Sequence, residues 1–183
     1  MSRLFCVANQ FCCLGIVFIG MMWPEGRAQE IAAQLRSRDP AVLAAQARFR
    51  GDPVRGSLVF HTSAAGCIKC HSDGSIPSPL GPTLTDIPSD VTDDYLVEAI
   101  LYPSRAIRKG FETFAVVTND GKVKTGLIES QDDNQVVLRE LSDLLHPSII
   151  DRKDIDDISK TTVSMMPEGL VASLQSESDF FDL

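Results

Sequence analysis

Cys67-Ile68-Lys69-Cys70-His71 is a C-x-x-C-H run, the spacing of a covalent c-type haem attachment site. Two thiols three positions apart can each add to one vinyl group along the same porphyrin edge. The histidine that follows is carried beneath the ring, where an imidazole nitrogen binds iron as the proximal ligand. Two other chemistries use paired cysteines. A structural zinc site asks for four ligands, usually as two Cys/His pairs, and no second pair follows this one. A thioredoxin-like redox site stands beside a βαβ pattern, whereas the residues around Cys67 read as helix and then a loop rich in Pro and Gly. One covalent haem c with its iron is therefore the expected cofactor, with Cys67 and Cys70 as tethers and His71 as a metal ligand.

The start of the chain has the layout of a secretory signal peptide, residues 1–28. Arg3 supplies the positive region, Phe11 to Trp23 the apolar region and Gly26-Arg27-Ala28 a small-x-small cleavage site, with cleavage expected after Ala28. The apolar stretch is short for a membrane span and is broken at Pro24, Glu25 and Gly26. The mature protein is thus expected to be periplasmic or otherwise exported, with no stable membrane span. Cys12 follows Phe11 and Cys13 follows Cys12, which argues against a lipid-anchored cysteine. Of the five cysteines, Cys6, Cys12 and Cys13 leave with the leader, and the two that remain belong to the motif.

Removing Arg3, Arg27 and Glu25 takes the 17 basic and 25 acidic residues to 15 and 24, a formal charge of −9. Such a surface disfavours nucleic acid, whose phosphates need Lys and Arg, and suits a basic partner through electrostatic steering. Solubility alone explains the charge equally well.

Hydrophobic patterning divides the rest into three segments. Residues 29–50 are alanine-rich and helical, with Leu35, Val42, Leu43 and Phe49, interrupted at Asp39-Pro40, where proline suits a first helical turn. They carry no recognisable chemistry and read as a tether or spacer. From Gly51 to Gly110 short helices alternate with turns. Asp52-Pro53 opens a helix with apolar Val54, Leu58 and Phe60. A Pro/Gly loop runs from Ser75 to Pro88, and Thr92 is an N-cap before Asp93 and Asp94. Tyr95, Leu96, Ala99 and Ile100 form the apolar face of that helix, expected to cover haem, and Pro103 ends it. From Phe111 to about Lys160 the period becomes that of strands. Phe114–Thr118, the turn Asn119-Asp120-Gly121, Val123–Ile128, a second turn at Gln131–Asn134 and Gln135–Arg139 follow in order. Ser148-Ile149-Ile150 and Ile155–Ser159 complete the set, which suggests a small barrel or sandwich. The last segment holds Met165-Met166-Pro167 and a terminal helix with Phe180, Phe181 and Leu183. A methionine before proline after a haem motif is a candidate sixth ligand, although methionine also fills core gaps.

From Gly51 to the C-terminus the chain resembles the haem-binding cytochrome c domain of planctomycetes and verrucomicrobia. The resemblance is carried by Gly51-Asp-Pro-Val-Arg-Gly56 with Val59-Phe60, the Cys67 to His71 motif, Gly81-Pro82-Thr83-Leu84-Thr85, Tyr95-Leu96 with Ile100, and Pro103-Ser104. It continues through Gly110-Phe111-Glu112, Asp120-Gly121 with Gly126, Asp154-Ile155 and Ser164-Met165-Met166-Pro167-Glu168-Gly169-Leu170. It implies a mainly α fold: a cytochrome c-like helical haem domain, residues 51–110 and 161–183, interrupted by a small β barrel or sandwich at 111–160, α+β overall. It assigns the distal ligand to Met166, which directly precedes the proline, and leaves Met165 to pack. It also implies that the Pro82 carbonyl accepts a hydrogen bond from His71, fixing its tautomer, and that Leu84 packs on the ring. Relatives continue the last helix beyond the equivalent of Asp182-Leu183, so the clamp between terminal helices is expected to rest on Phe180 or Phe181 against Phe60. His61 and His146 are the alternative sixth ligands.

The implied function is an exported monohaem cytochrome c carrying single electrons between redox partner proteins, without enzymatic chemistry of its own. Alternatives are an electron-accepting subunit of an extracellular dehydrogenase, with the β-rich segment as its docking surface, and an open-site haem enzyme or sensor. No distal His/Arg pair for peroxide chemistry can be assigned.

Overall fold

The structure, a computed structural model, describes residues 24–74 and 80–183, with side chains from residue 29 onward. The n-region and apolar region of the expected leader, and part of the loop beginning at Ser75, lie outside the described residues.

Five α-helices are present among the described residues: α1 Pro24–Arg36, α2 Pro40–Arg50, α3 Pro53–Thr62, α4 Asp93–Leu101 and α5 Glu177–Asp182. Their starts follow from local chemistry. Asp39 and Asp52 each precede a proline, which has no N–H to leave unpaired, and each carboxylate accepts an N–H of the first turn: Ala41 at 2.8 Å, Val54 at 2.9 Å. Thr92 caps α4 by accepting from Tyr95 N, and Ser176 with Asp179 forms a capping box on α5.

One core joins nearly all of these helices. Leu35 of α1, Leu43 and Ala44 of α2, Val97 and Leu101 of α4, Val171, Leu174, and Phe180 and Phe181 of α5 are buried together. Leu35 and Leu43 are at most 1% exposed, and each fully buried leucine contributes about 1.5–3 kcal/mol. Residues 29–50 are therefore part of the body and not a spacer. Helix α3 presents Gly56, Val59 and Phe60 inward, while Val54 and Leu58 are exposed. In α4 the buried pair is Val97 and Leu101, with Ile100 partly buried beside them. Both helices are rotated slightly from the faces that apolar spacing suggested, because short helices carry apolar residues on two sides and only packing selects one.

Helices α3 and α5 cross at Gly56, where a Cβ would lie 1.8 Å from the Asp182 carbonyl oxygen. The buried Asp182 side chain accepts from Asp52 N at 2.8 Å and from Arg55 Nη2 at 2.9 Å. The clamp between these helices thus rests on a glycine contact and a carboxylate. Phe180 and Phe181 pack edge-to-face on each other, and Phe60 makes its ring contact with His61.

The strands are β1 Thr113–Thr118, β2 Val123–Gln131, β3 Gln135–Glu140, β4 Asp143–Asp151 and β5 Ile155–Lys160. They form one antiparallel sheet in the order β4-β3-β2-β1-β5. Val116, Leu138 and Ile150 are its core, with Ile128, Ile155 and Ile158 around them. The expected mainly helical fold with a barrel or sandwich insert is therefore corrected: the chain combines five helices with a five-stranded antiparallel sheet and is not mainly helical. The reason is local. The stretches from Cys70 to Thr92 and from Tyr102 to Glu112, rich in Pro and Gly, hold no helix among the described residues. The chain is 36% helical and 24% strand. No helix among the described residues is long and apolar enough to cross a membrane.

Candidate functional site

Gly66 (φ 65°) opens a tight 3₁₀ turn over Cys67–Lys69. The Cys67 carbonyl accepts from both Cys70 N (3.1 Å) and His71 N (2.9 Å), which winds the chain back so that Cys67 and His71 face one crevice. The loop at residues 81–84 runs alongside. Gly81 N donates to Cys70 O at 2.9 Å and Leu84 N to Ser72 O at 3.2 Å. Between these bonds His71 Nδ1 lies 2.9 Å from the Pro82 carbonyl oxygen. A carbonyl can only accept, so Nδ1 carries a proton, and in the neutral ring the lone pair is then on Nε2. Gly81 is what permits the ring to sit there: a Cβ would stand 2.7 Å from Cε1 and Nδ1 of His71.

The crevice has a volume of about 100 Å³ and is lined by Phe60, Ala65, Cys67, His71, Leu84, Ile100, Met166, Leu170, Val171, Leu174 and Leu183. Apart from the thiol, the imidazole and the thioether, its walls are hydrocarbon. Met166 is held by its loop: Ser104 Oγ accepts from Ser164 N at 3.2 Å, and Ser164 Oγ accepts from Met166 N at 3.1 Å. Met165 points elsewhere. It is buried with Leu80 and Leu127 in a small cluster that links the sheet to the motif, with Cys70, Phe111 and Leu144 packed against it.

The structure thus brings Cys67, His71, Leu84 and Met166 to one crevice, and Pro82 touches it through the His71 hydrogen bond. Cys70 is not in the lining. No disulfide joins the two cysteines. Burial pushes both thiols up from their ordinary pKa, with neighbouring Lys69 opposing the shift at Cys70, so they are protonated at neutral pH. His61 is engaged away from the crevice, Nδ1 with Ser57 O at 2.7 Å and Nε2 with Asp73 Oδ2 at 3.1 Å. The Ser57 carbonyl and then the Asp73 carboxylate raise its pKa. His146 lies on β4, strongly exposed, beside Asp143. Neither histidine lines the crevice.

The donor set decides what the crevice can hold. No cluster of three or more His, Cys, Asp or Glu residues fit for a metal ion occurs among the described residues, which leaves a structural zinc centre without ligands there. An imidazole nitrogen and a thioether in hydrocarbon walls, with a thiol alongside, suit a flat apolar macrocycle whose metal needs only axial ligands. Gly81 and the wall from Leu170 to Leu174 were not singled out as site residues by the motifs. The Gly-Pro-x-Leu spacing signals the first, and the Leu170/Leu174 spacing after Gly169 signals the second. No family model matches this chain, and no curated protein matches it.

Proposed function

We propose that the protein is an exported monohaem c-type cytochrome that passes single electrons between redox partner proteins. The observation that carries this reading is the crevice that gathers Cys67, His71 and Met166 within apolar walls, with His71 Nδ1 committed to the Pro82 carbonyl. Cys67 and Cys70 would hold the haem covalently, and His71 and Met166 would be its axial ligands. When bound, haem c supplies a one-electron couple at its iron. The protein's own residues do the rest. The Pro82 carbonyl fixes the tautomer and ring plane of His71. Ser104 and Ser164 hold the methionine loop. Hydrocarbon from Phe60, Leu84, Ile100 and Val171 excludes water, which favours the form of lower charge and so tunes the potential. The acidic surface suits a basic docking face on the partner.

The test is spectroscopic. Protein matured with haem c in a periplasm is expected to retain haem after denaturation and to give a low-spin spectrum, oxidised and reduced. A methionine–iron charge-transfer band is expected in the oxidised form and absent from Met166→Ala. Haem released on denaturation, or none incorporated, overturns the proposal. A low-spin spectrum whose band survives in Met166→Ala overturns the ligand assignment.

A further inference from the structure

We infer that Arg36, on the N-terminal helix, is a positioning residue for the methionine loop, acting through Glu168. This inference rests on the site reading above and deepens it. Four contacts converge on Arg36. Its Nε donates to the carbonyl of Leu101 at 3.3 Å, the last residue of α4, where helix geometry leaves carbonyls without a partner. Its own carbonyl accepts from Tyr102 Oη at 2.7 Å. Its guanidinium lies 6.0 Å from the Tyr102 ring centroid. Its Nη2 lies 3.9 Å from Glu168 Oε2.

The last contact is unusual. Nη2 is shut off from solvent yet has no hydrogen-bond partner, and a buried N–H in that position is costly. The Glu168 carboxylate stands just outside bonding distance and is the charged group paired with it. Glu168 directly follows Met166-Pro167 and precedes Leu170 and Val171, which line the crevice. Leu35, beside Arg36, is buried in the same core as Val171 and Leu174. The guanidinium therefore draws the segment after Met166 toward α1 while gripping the end of α4, whose Ile100 forms another part of the crevice wall. Helix α1, with no donor of its own in the crevice, governs how firmly the thioether is held.

Imidazole added to the oxidised haem protein competes with Met166 for its coordination position, so its apparent affinity measures how readily the methionine lets go. Loss of the methionine–iron band follows the titration. Arg36→Ala and Glu168→Gln are each expected to tighten imidazole binding roughly two- to fivefold, the range a partly exposed ion pair supports. The double variant is expected to add little beyond either single change, and Arg36→Lys to recover part of the effect. Glu168 is exposed, so Glu168→Gln gives a folded readout even where Arg36→Ala does not. Imidazole affinity unchanged in Glu168→Gln, or fully additive effects in the double variant, overturns the inference while leaving the haem site intact. A wild-type protein lacking the band that Met166→Ala removes overturns the site reading first and this inference with it.

Discussion

At the residue scale, the site depends on how one imidazole is seated. His71 is gripped by the Pro82 carbonyl on one side and lies flush on Gly81 on another. Gly81→Ala places a methyl group 2.7 Å from the ring. The ring must turn or the loop must move, at a cost of about 1–3 kcal/mol. On the proposed haem site, the expected result is a lower haem content per chain and a shifted reduction potential, measured by pyridine haemochrome assay and redox titration. An unchanged potential at full haem content would mean that the loop adapts freely. Much of this was readable from the chain: C-x-x-C-H and Gly-Pro-x-Leu are local signals, and the hydrogen bond from His71 to Pro82 follows their resemblance. Arg36 was not readable. Its partners, Leu101 and Glu168, are distant in sequence, and an arginine at a helix end normally means only solubility or dipole complementarity.

At the element scale, the crossing of α3 and α5 is the joint most exposed to a small change. Gly56→Ala sets a Cβ 1.8 Å from the backbone oxygen of Asp182, which cannot swing aside as a side chain does. The helices must part, and Leu183, which lines the crevice, must move with α5. A loss of about 1–3 kcal/mol is expected, seen as a lowered urea midpoint with an unchanged slope. Helix starts and hairpin turns were legible because Asp39, Asp52, Thr92 and Asn119-Asp120-Gly121 act through their immediate neighbours. Helix faces were less so. Val54 and Leu58 share a side of α3, as a buried stripe would, yet remain exposed because Gly56 is where α5 makes its closest approach. The role of α2 was hidden by its alanines, whose small side chains produce little contrast between faces, although Leu43 is fully buried.

At the scale of the whole molecule, excess acid makes stability depend on pH. Burial alone would raise the Asp182 pKa, but the Arg55 hydrogen bond, the Asp52 N–H and the Arg55 charge outweigh it and hold the carboxyl low. Asp132 and Asp143 are lowered by backbone N–H groups, and Asp120, beside Lys122 and Thr118, is held down to about 2. Each of these groups has a folded pKa below its unfolded value. Its contribution is present above the ordinary carboxylate range and lost as pH falls through the folded value. His61 has the opposite sign, its contribution being lost as pH rises through its raised pKa. The stability gap between wild type and Asp182→Asn is therefore expected to be widest near neutrality and to narrow below about pH 4. Urea unfolding at the two pH values measures it, and a gap that stays constant would show that the carboxylate's charge contributes nothing. Sequence composition exposed the acidity but not which carboxylates are paired, since Arg55 and Asp182 meet only after α3 and α5 cross.

His71 precedes the sheet and Met166 follows it, and β1 and β5 are neighbouring antiparallel strands, with Thr161 N donating to Thr113 O at 2.8 Å. The chain therefore leaves the helical body and returns to it at adjacent points. For folding, the β1/β5 pair takes the sheet's own residues out of the loop between His71 and Met166, leaving the segment before Thr113 and the short one after Thr161 to be closed. Loop-closure entropy rises only with the logarithm of length, and the sheet's own ladder offsets it. Whatever else the sheet does, its closure at Thr113 and Thr161 sets the segments that carry His71 and Met166 on the same side of one strand pair.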